Sequence, residues 1–101
     1  MAAEPFRLLF TTEAAATLES LGRGQQYAVK LKRVQKALGL LQLDPQYPSL
    51  QSHKYTSLTG ANSEDVWDSY VENKTPSAWR IFWHYGPESG MITVVTISPH
   101  P

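Results

Sequence analysis

Apolar and polar residues alternate along this chain with three different rhythms, and each rhythm predicts an element. Phe6 to Phe10 (FRLLF) is a short apolar run closed by Thr11 and Thr12, which predicts a first strand. Thr12 supplies a helix N-cap, and Glu13 sits in the first turn, where the helix dipole favours an anion. The helix continues through Ala14, Ala15 and Ala16 to Leu21, with Ala14, Leu18 and Leu21 on one face, until Gly22 stops it. A second helix is predicted from Gln25 to Leu41. Tyr27, Leu31, Val34, Leu38 and Leu41 recur there at steps of four and three, an amphipathic stripe that leaves Lys30, Lys32, Arg33 and Lys36 on the wet side.

Asp44-Pro45 and Tyr47-Pro48 end that helix and open an irregular stretch through SLQSHKYTSLTGANSED. At roughly twenty residues it is long for a connection in a compact domain, which signals either a role or a short unseen element. The period then becomes two. Val66 to Glu72 (VWDSYVE), Trp79 to Tyr85 and Met91 to Ser98 read as strands, the last pair joined by GPESG, a hairpin loop rich in turn formers. The expected architecture is α+β, in the order β-α-α-β-β-β. An N-terminal strand and two helices accompany a twisted antiparallel sheet, the helices packed on one face, in a single domain spanning residues 1–101.

The GPESG loop implies a register. Trp79, Ile81 and Trp83 should pair with Ile97, Val95 and Thr93 under the helices, and Arg80, Phe82 and His84 with Thr96, Val94 and Ile92 on the opposite, open face. Burying Arg80 without a partner would cost several kcal/mol, which supports this choice. A plain hairpin places Asp68 and Tyr70 beside Arg80 and Phe82, and His100 follows closely enough to return to the same surface.

Composition narrows the function. The chain has 101 residues, 42% of them hydrophobic and 18% charged, with a formal net charge of zero, so no global field steers it to nucleic acid or membrane. The charges are nonetheless uneven: Arg23, Lys30, Lys32, Arg33 and Lys36 hold five of the nine positive charges, and no acid lies between Glu19 and Asp44. With no cysteine, disulfides, thiolate metal sites and cysteine nucleophiles are excluded. Neither a signal peptide nor a membrane helix is legible, so a cytoplasmic location is expected. His53, His84 and His100 show no zinc-ligand spacing, and neither a metal nor a cofactor is expected.

Two readings of Arg80 follow. A cross-strand ion pair with Asp68 on a solvated sheet face is worth under about 1 kcal/mol and implies no function. A guanidinium held on a sheet surface with Tyr70, His84 and His100 nearby instead suits binding and polarising a phosphate.

Several ordered pieces resemble the RelE/ParE superfamily of toxin-antitoxin toxins: LDPQYPSLQSHKY after the second helix, VWDSYV, then WRIFWHYG, and a last strand ending VVTISPHP. The most specific piece is Trp79-Arg80-Ile81-Phe82-Trp83, followed by a turn and a final apolar strand ending at a histidine. The resemblance implies ribosome-associated mRNA cleavage if the chain is RelE-like, silenced by a cognate antitoxin. A ParE-like chain would instead inhibit DNA gyrase without cleaving RNA, and a degenerate member would do neither. It also implies that Arg80 matches the arginine set against the scissile phosphate, that His100 falls where relatives carry a proton-transfer residue, and that His53 and Lys54 lie where relatives contact RNA. Asp68 and Tyr70 stand where RelE carries basic residues.

Metal-free RNA cleavage needs a base for the 2′-hydroxyl, cations for the phosphorane charge and an acid for the leaving oxygen. The expected assignment gives charge stabilisation to Arg80 and proton transfer to His100, because an unperturbed imidazole titrates near neutrality. His84 or Tyr70 would supply a second group. Lys54, Lys74 and His53 would contact phosphates and Phe82 a base, while Lys30 and Arg33 on the basic helix would dock rRNA phosphates or an acidic antitoxin.

Overall fold

The computed structural model describes residues 4 to 100. Strand β1 (Arg7–Phe10) leads into helix α1 (Thr12–Leu21), a 3₁₀ turn (Gln25–Tyr27) and helix α2 (Ala28–Leu43). A second 3₁₀ turn (Pro48–Leu50) precedes strands β2 (His53–Thr59), β3 (Asp65–Tyr70), β4 (Trp79–Tyr85) and β5 (Met91–Pro99). The five strands form one sheet in the order β1-β5-β4-β3-β2. The expected α+β class and the two helices against one sheet face are present, with three departures.

The first is β2, which occupies the stretch read as irregular. Its residues HKYTSLT hold only Tyr55 and Leu58 as apolar side chains, on opposite parities, so no apolar period marks them. The second is strand direction: β1 pairs in parallel with β5 while every other neighbouring pair is antiparallel, which makes the sheet mixed rather than antiparallel. Hydrogen bonds hold β1 at both ends, from Arg7 N–H to Gly90 O at 2.8 Å and from Thr11 N–H to Val94 O at 3.1 Å.

The third departure is register. Arg80 pairs with Ser98, Ile81 with Ile97 and Phe82 with Thr96, but Trp83 pairs with Val94, so Val95 is an extra residue in a β-bulge. The bulge changes which side chains of β5 face inward. Ile92, Val94 and Ile97 are buried in the core, in place of the expected Thr93, Val95 and Ile97. The Val95 carbonyl accepts a 2.6 Å hydrogen bond from Thr11 Oγ1, which ties the bulge to the start of α1.

Thr11 rather than Thr12 caps α1, its side chain accepting from Ala14 N–H at 3.1 Å. The stripe of α2 is inward from Val34 to Leu41, with Ala37 added and Leu31 packed at its border, whereas Tyr27 is exposed. Together with Ala14, Leu21, Leu50, Ile81 and Trp83 these residues form the core between helices and sheet.

One polar chain runs through that core. Trp83 Nε1–H donates to Ser69 Oγ at 2.7 Å, Ser69 and Ser52 share a 2.6 Å hydroxyl contact, and Ser52 Oγ donates to Pro45 O at 2.7 Å. The order of donors requires Ser69 to donate to Ser52, so every hydroxyl in the chain is used. It also fastens the segment after α2 to the centre of the sheet. Ser69→Ala should leave the buried indole N–H and the Ser52 hydroxyl short of a partner. Chemical denaturation should then show a loss of about 1–3 kcal/mol with an unchanged m-value.

Candidate functional site

On the sheet face turned away from the helices, β3 contributes Asp68 and Tyr70, β4 contributes Arg80, Phe82 and His84, and β2 contributes His53 and Tyr55. These positions follow from the register, which sets His53 opposite Asp68, Asp68 opposite Phe82 and Tyr70 opposite Arg80. The face is not open as expected. Phe82 is 1% exposed with the Tyr55 ring 5.0 Å away, Val66 is buried, and Glu64 approaches His84 at 4.0 Å.

Asp68 lies at the centre of the cluster and has no exposed surface. Oδ1 is 3.4 Å from Arg80 Nε, and Oδ2 is 3.5 Å from His53 Nε2 and 3.7 Å from His100 Nε2. Among the described residues neither Asp68 oxygen has a hydrogen-bond partner, and neither does Arg80 Nε. Burial raises the Asp68 carboxyl above its ordinary range, while His53, Arg80 and His100 pull it down without overcoming burial. The carboxylate is therefore held by charge at a distance rather than by direct hydrogen bonds.

Arg80 is fixed on its other sides. Its guanidinium carbon stands 3.6 Å from the centre of the Tyr70 ring, and Nη1 donates to the Glu72 carbonyl at 3.2 Å. Its side chain is 12% exposed. The expectation that Arg80 projects away from the helical layer agrees with this geometry, but it stands beside a buried carboxylate rather than on a solvated face. His100 does return to the cluster, with its ring 6.2 Å from Tyr55. Its backbone N–H donates to Ala78 O at 2.9 Å, which anchors the residue after β5 against the start of β4.

The remaining candidates are dispersed. His84 lies two strand positions beyond Phe82 from Arg80, with Nδ1 2.8 Å from Tyr85 O, so it is not within the Arg80 cluster. Lys54 pairs in register with Trp67 on the helical face, with Nζ 3.3 Å from Asp65 and 5.9 Å from the Trp67 ring, and so points away from Arg80. Phe82 is covered by Tyr55 and cannot stack on a base in this arrangement. Lys74 is exposed in the turn between β3 and β4, at a positive φ of 62°.

Lys30 and Arg33 do not stand clear on a wet helix face. Lys30 Nζ is 2.6 Å and Arg33 Nη1 2.9 Å from the Glu72 carboxylate, and Lys30 also lies 5.0 Å from the Trp79 ring. Burial would raise the Glu72 carboxyl, but hydrogen bonds from Lys30, the Trp79 N–H and Arg33 hold it below its ordinary range. Glu72 thus joins α2 to the β3–β4 turn through its side chain and supports Arg80 through its carbonyl. A cavity of about 420 Å³ beside it is lined by Arg33, Lys36, Ser49, Tyr70 and Asn73, so Tyr70 borders both this cavity and the Arg80 guanidinium.

Sequence reasoning placed His53 among RNA contacts without foreseeing its approach to Asp68, and it missed Tyr55 altogether, both because β2 was unseen. The available signal was His53 and Tyr55 two residues apart between Pro48 and Gly60.

No family model matches the sequence, and no curated protein matches it. Solved structures do match over nearly the full length. A YoeB/ParE toxin from Agrobacterium tumefaciens superposes with a TM-score of 0.68 at 13% identity, covering 94% of this chain and 99% of that one. The fold is that of the RelE and YoeB toxins. An archaeal RelE from Pyrococcus horikoshii, solved with RelB, gives 0.64 at 14% identity and covers 94% of each chain. YafQ from E. coli gives 0.62 at 10% identity, covering 94% of this chain and 93% of that one. At these identities the RelE-like likeness is one of backbone.

Among the described residues no group of three His, Cys, Asp or Glu is arranged to hold a metal ion, and no helix is long and apolar enough to cross a membrane.

Because the Glu72 carboxyl is held low, its contribution to stability is present above the ordinary carboxyl range and is lost as pH falls through its folded-state value. Glu72→Gln should therefore destabilise the protein by about 2 kcal/mol at neutral pH, and wild type and variant should converge in acid when melting is followed across pH.

Proposed function

We propose that this protein is the toxin of a type II toxin-antitoxin pair and that it cleaves mRNA at the ribosome in the cytoplasm. The observation that carries this reading is the convergence of Arg80, His53 and His100 at 3.4–3.7 Å from one buried carboxylate, on the sheet face away from the helices. The solved structures of like fold support the toxin role, several of them being complexes with RelB or YefM. An antitoxin is accordingly the partner that would silence this chain.

In the proposed reaction one imidazole takes the proton of the 2′-hydroxyl, whose oxygen attacks the adjacent phosphorus. The bond to the 5′-oxygen of the next nucleotide breaks, and the second imidazole protonates that leaving oxygen. The products are a 2′,3′-cyclic phosphate and a 5′-hydroxyl. Arg80 stabilises the charge that builds on the phosphorane oxygens. Tyr70, whose ring lies beneath the Arg80 guanidinium carbon, positions the guanidinium rather than transferring a proton. The pairing of His53 with His100 replaces the earlier expectation that His84 or Tyr70 would act beside His100.

One observation favours a second reading, that of an inert domain. Arg80 is 12% exposed and its charge faces Asp68, so the guanidinium is already engaged without substrate.

Purified ribosomes programmed with a defined mRNA separate the two. Wild type should cut the message within the decoding site, Arg80→Ala should slow cutting by at least about 100-fold, and His100→Gln should slow it by about 100- to 10,000-fold. An intact message with unaltered growth on induction supports the inert domain. Blocked supercoiling with intact RNA supports inhibition of gyrase instead.

A further inference from the structure

Asp68 is what sets this site apart from a simple phosphate clamp. An acid at the centre of such a cluster should repel a phosphodiester, yet here the acid is the most deeply buried member, with Arg80 and the two imidazoles arranged around it. The two sides are distinct: Arg80 Nε meets Oδ1, while both imidazoles meet Oδ2. All three contacts are too long for direct hydrogen bonds to Asp68, and Arg80 Nε has no hydrogen-bond partner among the described residues, so the guanidinium keeps a donor for an incoming anion.

We propose that Asp68 is the resident anion of this site, competing with the phosphodiester of a single-stranded nucleic acid for Arg80, His53 and His100, and that it yields by taking up a proton. Binding is therefore proton-linked. The inference rests on the nucleic-acid reading of the site and adds its regulation.

The groups that face Asp68 are His53 from β2, Arg80 from β4 and His100 after β5, with Tyr70 on its own strand against Arg80. The helices lie on the other side of the sheet. Glu64 sits at the His84 end of this face, and the Glu72 carboxylate is taken up by Lys30, Arg33 and the Trp79 N–H. When a phosphodiester approaches, Asp68 loses part of its compensation from Arg80 and gains a like charge nearby, and both effects favour its neutral form. Burial already inclines the carboxyl the same way. A site built like this is weakened while Asp68 is ionised and strengthens as it becomes neutral, and neutral Asp68 offers a hydroxyl donor in place of a second negative charge.

The test uses the full chain and a labelled, single-stranded oligodeoxynucleotide, which lacks the 2′-hydroxyl and cannot be cut by this route. Its affinity is measured by fluorescence anisotropy between about pH 5 and about pH 8, where phosphodiester charge is constant. Asp68→Asn should bind at least about tenfold tighter than wild type near pH 8, and the ratio should shrink toward one as pH falls and the wild-type carboxyl takes up its proton. Asp65→Asn, which removes an exposed acid from the same strand, should stay within about twofold of wild type throughout. Adding Arg80→Gln to Asp68→Asn should abolish the gain.

If Asp68→Asn fails to fold, His53→Gln/His100→Gln carries the test. Without imidazoles, that variant should still bind more tightly as pH falls. Equal affinities of Asp68→Asn and wild type at pH 8, a gain that persists unchanged at pH 5, a flat profile in the double histidine variant, or no binding by any form would each overturn the proposal. Ribosomal cleavage measured alongside keeps the two readings apart. Cutting that depends on Arg80 without the Asp68 effect removes only this inference, whereas the Asp68 effect without cutting removes only the nuclease.

Discussion

The character of the outer sheet face depends on one buried charge. Asp68 is excluded from solvent without a direct hydrogen bond among the described residues, and burying an ion in this way costs several kcal/mol unless nearby charges offset it. Arg80, His53 and His100 provide the offset, and the position of the Asp68 carboxyl above its ordinary range shows that they offset it only in part. Three elements distant in sequence are thus drawn to one point: β2, β4 and the residue beyond β5. A surface evolved only for stability would reach the same packing more cheaply with an apolar residue at this position.

The scaffold holds that point from behind. Glu72 accepts Lys30 and Arg33 of α2 with its carboxylate and Arg80 with its carbonyl, so one residue links the helical layer to the guanidinium. The serine chain from Trp83 to Pro45 fixes the segment that leads into β2, and β2 delivers His53 and Tyr55. The bulge at Val95 lets β5 keep Ile92, Val94 and Ile97 in the core although their spacing is uneven. The basic character of α2 is consequently partly spent on internal ties, which leaves Lys32 and Lys36 as its outward cationic part.

What could be read from the sequence was whatever carried an apolar period. The stripe from Leu31 to Leu41, the alternation of Trp79, Ile81 and Trp83, and the outward direction of Arg80 all follow from hydrophobic spacing, and the α+β layering follows from them. β2 was invisible because His53, Tyr55 and Ser57 alternate with Lys54, Thr56 and Leu58, giving little contrast between faces. The bulge at Val95 was invisible because a run such as ITVVTI supports either parity, and only the Thr11 contact and the packed core decide between them. The parallel pairing of β1 with β5 is a property of chain topology that no local pattern encodes. At the site, the proximity of Asp68 to Arg80 was legible from the strand order. Its burial was not, because burial is produced by residues of β2 and by the return of His100.

The central claim, that Asp68 is a buried anion poised to become neutral, is most directly tested by following its side-chain carboxyl through a ¹³C NMR pH titration. The account predicts a midpoint above the ordinary aspartate range in the protein alone, moving higher still when a single-stranded oligodeoxynucleotide is added. A midpoint at or below the ordinary range, unmoved by the oligonucleotide, would contradict it.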